Sequence, residues 1–136
     1  MVDTDKEALR QARLAFLEDT IQYYSEDTSR RATQKGADGY VCCRYRTTDG
    51  RKCGIGRHIP DDKYIESMEG KAADAAIIME ALPVDIQNLG GLFLSAIQLL
   101  HDVDGHWDMW KEKGLTDAGK AAVDDIKEQY GLFINS

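Results

Sequence analysis

The sequence predicts an α+β domain, mostly helical, in which four to five helices pack on a β-hairpin at about 40–57. Three observations predict it. Apolar residues recur at helical spacing along 4–24 and again along 92–103. Between them, Tyr40–Arg57 alternates apolar and polar side chains on either side of Thr48-Asp49-Gly50. At 136 residues and 43% apolar, the chain has the size of one ordinary domain, which buries roughly two-thirds of its unfolded surface without a disulfide or metal. The expected organisation is a single domain, 1–136, with an N-terminal helix at 4–24, the hairpin at 40–57 and a helical part at 60–133.

Each element has its own signals. Thr4-Asp5-Lys6-Glu7 has the form of a capping box, with Thr4 as cap and Glu7 reaching back. In the helix that follows, Leu9, Ala12, Phe16, Thr20, Tyr23 and Tyr24 share one face, and Arg10, Glu18 and Gln22 lie off it. Ser25–Gln34 is polar and reads as a loop, and Gly36 and Gly39 bracket the entry to the hairpin. A two-residue Asp49-Gly50 turn would set Cys53 opposite Arg46 and mix apolar with charged side chains. A three-residue loop, Thr48–Gly50, sets Tyr45 opposite Cys53 and Cys43 opposite Ile55, so the odd loop sorts the faces. Val41, Cys43, Tyr45, Cys53 and Ile55 then pack on helices. Arg44, Arg46 and Lys52 lie on the other face beside Gly54 and Gly56, where a ligand or another backbone can come close. A lone hairpin is marginal in water, so helices must cover it or a third strand must join.

Lys71–Leu82 is alanine-rich and predicts a helix ended by Pro83. Val84–Leu89 suits one helical turn closed by Gly90-Gly91. Leu92–Val103 is the central core helix, with Phe93, Ala96, Ile97 and Leu100 as its stripe and Leu92 and Leu99 widening it. Asp104–Trp107 reads as a loop. The last helix has Thr116 as its cap and Gly131 at its end.

Charge is unevenly spread. From Arg30 to Arg57 eight cations stand against Asp38 and Asp49, a local balance of +6, which leaves −13 for the rest of a chain whose net charge is −7. Two readings are open: neutralisation within the fold or in a symmetric oligomer, or a site for an anionic ligand. For the second, Arg44, Arg46, Lys52 and Arg57 supply cations, and Gly54 and Gly56 give access to backbone amides. Duplex nucleic acid is disfavoured, because the acidic remainder repels a polyanion. The charged opening Met1–Glu7 lacks the apolar run of a signal peptide. The longest wholly apolar run, Ala75–Met79, is too short to cross a bilayer. A cytoplasmic location without membrane contact is expected, with three free thiols.

Other chemistry finds weaker patterns. Cys43, Cys53, His58 and His101 are ligand types without ligand spacing, so no metal is expected. Asp102–Asp108 resembles a calcium loop but has its glycine at the wrong position and Lys113 where the closing Glu belongs. Gly54-Ile55-Gly56 is too short for a dinucleotide fingerprint, and no cofactor is expected. Cys53 with His58, or with His101 and Asp102, can be drawn as a thiol or hydrolytic set. A buried Cys53 on the packed face is the competing reading.

The stretch Asp49-Gly50-Arg51-Lys52-Cys53-Gly54-Ile55-Gly56-Arg57-His58-Ile59-Pro60-Asp61-Asp62-Lys63-Tyr64, with Met68-Glu69-Gly70, Leu82-Pro83 and His101-Asp102 after it, resembles a widespread family of small uncharacterised proteins of bacteria and their phages. Their core reads D-G-x-K-C-A-x-G-x-x-I-P-D-x-x-Y. The likeness covers roughly 40–110 and departs at Gly54, where Ala is usual. It implies a shared fold and nothing about activity, and it is consistent with a phage or mobile-element origin. The expected function is a non-enzymatic binding protein that engages a host protein, as a phage or mobile-element inhibitor. The alternatives are a module sequestering a small phosphorylated ligand, and a small enzyme using Cys53, His58, His101 and Asp102.

Overall fold

The computed structural model describes residues 2–35, 41–108 and 114–133. Gly36, Gly39 and Tyr40, and the side chains of Thr4, Val41, Cys42 and Cys43, fall outside that description. In chain order the elements are α1 (Val2–Glu26), β1 (Thr33–Lys35), β2 (Val41–Cys43), α2 (Ala76–Ala81), α3 (Val84–Gln87), α4 (Gly91–Asp102), β3 (Trp107–Asp108), β4 (Gly114–Leu115) and α5 (Asp117–Tyr130). The fold is α+β and mostly helical, as the sequence predicts. Its contacts sort into two units, Met1–Thr28 with Val103–Ser136, and Ser29–Asp102.

The first unit is built on α1. Phe16, Leu17, Thr20 and Tyr24 are its buried face; Leu17 joins the expected stripe, while Ala12 is exposed and Leu9 and Tyr23 are half-buried. The buried Thr20 hydroxyl donates to the Phe16 carbonyl at 2.9 Å, so its burial leaves no donor stranded. Thr4 lies inside the helix and is not its cap. The helix begins before Thr4, and Glu7 pairs forward with Arg10 and Gln11, the cation three residues on being its natural partner on a helix surface. Where a loop was expected after α4, a 3₁₀ turn at Asp104–His106 leads into β3, which pairs antiparallel with β4 (Trp107↔Leu115, Asp108↔Gly114). The anchor is aromatic: buried Trp107 meets the Tyr24 ring edge-on, 5.8 Å between centroids. The α5 ends follow the sequence. Thr116 accepts from the Gly119 N–H at 3.1 Å, and past Gly131 the Leu132 N–H returns to the Lys127 carbonyl at 2.7 Å.

The second unit corrects the hairpin. Its tip has the expected register: Arg46 bridges Lys52, the Cys53 N–H donates to the Tyr45 carbonyl at 3.2 Å, and Gly50 takes φ +90° in the loop Thr48–Gly50. The second arm then leaves the ladder. Gly56–His58 coils into a 3₁₀ turn instead of running to Arg57 as strand. Gly56 crosses directly over Tyr45, where a Cβ would stand 2.2 Å from the Tyr45 carbonyl oxygen. The first arm finds another partner, β1, with Thr33↔Cys43, Gln34↔Cys42 and Lys35↔Val41. Ser25–Gln34 is therefore not a loop throughout; it holds a 3₁₀ turn at Thr28–Arg30 and the start of β1. The helix expected at 71–82 shortens to α2, because the Lys71 carbonyl accepts from the Tyr45 hydroxyl at 2.7 Å and the Ala75 N–H returns to Ala72 in a tighter turn.

Helix α4 buries Phe93, Leu94, Ile97, Leu100 and His101, but Leu92 and Leu99 are 74% and 61% exposed. The apolar stripe is wider than the surface it packs on. Ile97→Ala is expected to cost about 2–5 kcal/mol, read by urea unfolding; a loss within error would place α4 outside the core.

Candidate functional site

Three cations of the basic stretch, Arg44, Arg46 and Lys52, are met by carboxylates of the segment that follows the hairpin tip. Arg44 Nη2 lies 2.6 Å from Glu66 Oε1. Arg46 Nη1 lies 2.7 Å and Lys52 Nζ 3.5 Å from Asp61 Oδ1. The Arg46 guanidinium also stands over the Tyr64 ring at 4.8 Å and donates to the Ile59 carbonyl at 2.6 Å. Beneath them Glu69 accepts the Tyr45 and Arg46 backbone N–H groups at 2.8 and 3.1 Å, and the Tyr64 hydroxyl. Burial, then the hydrogen bond to Glu69, raises the Tyr64 pKa. Arg51 pairs with Asp49 and donates to the Arg31 carbonyl. Arg57 Nη1 is 3.5 Å from His58 Nε2.

Gly54 and Gly56 correct the picture of an open face, since both are buried. The close approach at Gly56 is by the Tyr45 backbone, and at Gly54 by His101 and Ile97. Neither glycine opens its amides to a ligand. The motif Asp49–Tyr64 with Met68-Glu69-Gly70 therefore describes a self-contained network of turn, crossing and ion pairs. Arg46→Glu is expected to destabilise by roughly 2 kcal/mol, because it sets a third carboxylate against Asp61 and Glu69 and removes the cation from Tyr64; thermal melting identical to wild type would show these pairs idle.

The same pairs set an acid response. Lys52, then Arg46, holds the Asp61 carboxyl below its ordinary pKa, and Arg44 does so for Glu66. Both folded values lie under the unfolded ones, so this stabilisation is present above about pH 4 and is lost as pH falls through the lower folded values. Asp61→Asn combined with Glu66→Gln is expected to flatten the fall in melting temperature between about pH 5 and pH 3. An unchanged slope would assign the acid response elsewhere.

A second cluster lies at the end of α4. His101 is fully buried. Its Nε2 accepts the Ala32 N–H at 3.2 Å, so the ring proton sits on Nδ1 and is donated to Asp102 Oδ1 at 2.8 Å. Arg31, also buried, donates to the carbonyls of His101 and Asp102 at 2.9 and 3.1 Å, satisfying two of the helix's terminal acceptors. Gln98 donates to Asp102 Oδ1 at 3.1 Å, accepts the Ile55 N–H at 3.2 Å and reaches the Cys53 thiol. Cys53 and His101-Asp102 are thus brought together through Gln98, while His58 stands in the 3₁₀ turn beside Arg57. The grouping is not a nucleophilic set. Burial pushes the Cys53 thiol up to about 12, its sulfur accepts the Gly56 N–H, and His101 Nε2 is committed to Ala32 and is not placed to act as a base. Arg31 and Gln98 were not singled out in the sequence. Gln98 had a signal, one turn before Asp102 on the same helix; Arg31 had none.

Beside this cluster runs a groove of about 340 Å³, bounded by Tyr45, Lys71, Ser95, Gln98, Leu99 and Asp102. Its floor is fixed by the Tyr45 hydroxyl on the Lys71 carbonyl. One wall is the outward face of α4, with Ser95, Leu99 and Asp102 at helical spacing. Among the described residues there is no group of three His, Cys, Asp or Glu placed to hold a metal, and no helix is long and apolar enough to cross a membrane. Comparison of the chain with protein-family models, curated proteins and solved structures finds no match. The resemblance drawn from 40–110 rests on its motif residues alone.

Proposed function

We propose that this chain is a non-enzymatic binding protein that engages another protein through the outward face of α4 and the groove beside it. The observation that carries this reading is the pair Leu92 and Leu99, seven residues apart on the most apolar helix, exposed at 74% and 61%. Single exposed leucines are ordinary, but two on one helix face bordering a groove form the kind of patch that protein partners cover. A host protein as the target, and action as a phage or mobile-element inhibitor, follow only by association from the origin that the resemblance is consistent with. The anionic-ligand reading has less support, since Arg44, Arg46 and Lys52 already face Glu66 and Asp61. The thiol-enzyme reading has less again, with Cys53 sealed and protonated. The test is a photo-crosslinking residue placed at position 99, and separately at Glu128 on α5, in cells that naturally carry the gene. A discrete protein adduct is expected from position 99, absent from position 128 and lost with Leu92→Glu. No adduct, or the same adducts from both positions, would overturn the reading.

A further inference from the structure

The groove also indicates the chemistry of what enters it, on the reading that α4 is a protein-binding face. Within the basic stretch, Arg44, Arg46 and Lys52 are met inside the fold by Asp61, Glu66 and Glu69. The chain as a whole carries a net charge of −7. In the groove that charge has a fixed point. Asp102 is 30% exposed, and its Oδ1 is held by two donors, the buried His101 Nδ1 and Gln98 Nε2. Such a carboxylate is oriented before any partner arrives. Asp102 is the one carboxylate among the lining residues. Burial first, and then the carboxylates of Asp102, Glu69 and Asp74, raise the Tyr45 pKa. Lys71, the one cation among the lining residues, has its carbonyl pinned by Tyr45 and its side chain exposed. Apolar surface lies alongside, from Leu99 and the alanines at 72 and 73.

We propose that the groove takes a basic side chain of the protein partner, a lysine or arginine whose cation meets Asp102 while its methylene stem and an adjoining apolar residue lie against Leu99. An amphipathic side chain suits this arrangement, because its stem can cover apolar surface while its charged end reaches an acid.

The test uses the ¹⁵N-labelled full chain and three short amphipathic peptides of one pattern: leucine with lysine, leucine with glutamate, and leucine with serine. The leucine–lysine peptide is expected to bind saturably, with amide shifts at Ser95, Gln98, Leu99 and Asp102. Asp102→Asn keeps the oxygen that accepts from His101 and Gln98 and removes only the charge; it should weaken that binding about tenfold or more. The glutamate peptide should bind far more weakly than the lysine peptide. Equal binding of the lysine and glutamate peptides, shifts centred elsewhere, no binding, or wild-type affinity in Asp102→Asn would overturn the proposal. Saturable shifts at Asp102 with lysine amide alone, and none further with the peptide, would replace a protein partner by a small amine and overturn it too. The two readings fail separately: if Leu92→Glu abolishes the cellular adduct from position 99 and Asp102→Asn does not, α4 remains a docking face and only the basic side chain is lost.

Discussion

Gly56→Ala is expected to lower stability by roughly 3 kcal/mol or more, the upper range of what overpacking at a fixed site costs. The reason is the crossing of two backbones. A Cβ at 56 would stand 2.2 Å from the Tyr45 carbonyl oxygen and 2.9 Å from its carbon, and a backbone cannot swing aside as the far end of a flexible side chain can. Tyr45 is tied on three counts: its N–H to Glu69, its carbonyl to the Cys53 N–H and its hydroxyl to Lys71. Relief of the clash therefore loosens the hairpin tip, the Glu69 network and the groove floor together. Gly54→Ala is the control. Its Cβ would meet His101 Cβ at 3.4 Å, an ordinary contact. It should change stability by less than about 1 kcal/mol. Urea unfolding of the two variants decides the matter, and similar losses at 54 and 56 would sink the account of the crossing.

The second large effect belongs to His101. Replacing this fully buried residue by alanine leaves a cavity, strips the Ala32 N–H of its acceptor and takes the donor from Asp102. Together these should cost roughly 3–5 kcal/mol. The distinguishing readout is local. The Ala32 amide should lose its protection against hydrogen exchange well before the rest of the unit, because its partner is the imidazole Nε2. Protection as strong as in the wild type would mean that another acceptor holds Ala32.

The sequence carried the elements whose signals are local. Thr116 and Gly131 bound α5 through cap chemistry that needs no distant partner, and the three-residue loop at Thr48–Gly50 followed from keeping Tyr45 and Cys53 on one face. The far end of the hairpin was not legible. Its fate was decided by Gly56 meeting Tyr45 and by β1, whose residues Thr33-Gln34-Lys35 are polar and show no alternation. The width of α4's apolar stripe misled for a related reason. Periodicity reports which residues share a face, and Leu92 and Leu99 sit on the edge that nothing in the unit covers. The candidate site was half visible. Arg44, Arg46 and Lys52 could be grouped from register, but their carboxylate partners came from turns at 61–69, whose reach is set by tertiary placement. Asp102 was read as a member of a thiol or hydrolytic set with Cys53 and His101, and its groove depends on Tyr45 and Lys71, far from it in the chain.

The arrangement of the two units also orders events during synthesis. Ser29–Asp102 is one uninterrupted length of chain, whereas its neighbour is assembled from residues on either side of it. On the ribosome every partner within 29–102 already exists when Asp102 is made. Helix α1 is in the opposite position. Tyr24 needs Trp107, Arg13 needs the Tyr130 ring that it stands over at 5.0 Å, and α1 packs on β4. At about 5–20 residues per second, elongation leaves Phe16, Leu17 and Tyr24 without those partners for a time on the order of seconds. Helix α1 is therefore completed only after the whole of 29–102 has been made, and through that interval Tyr24 stands without Trp107 and the helix's apolar face is open to a chaperone.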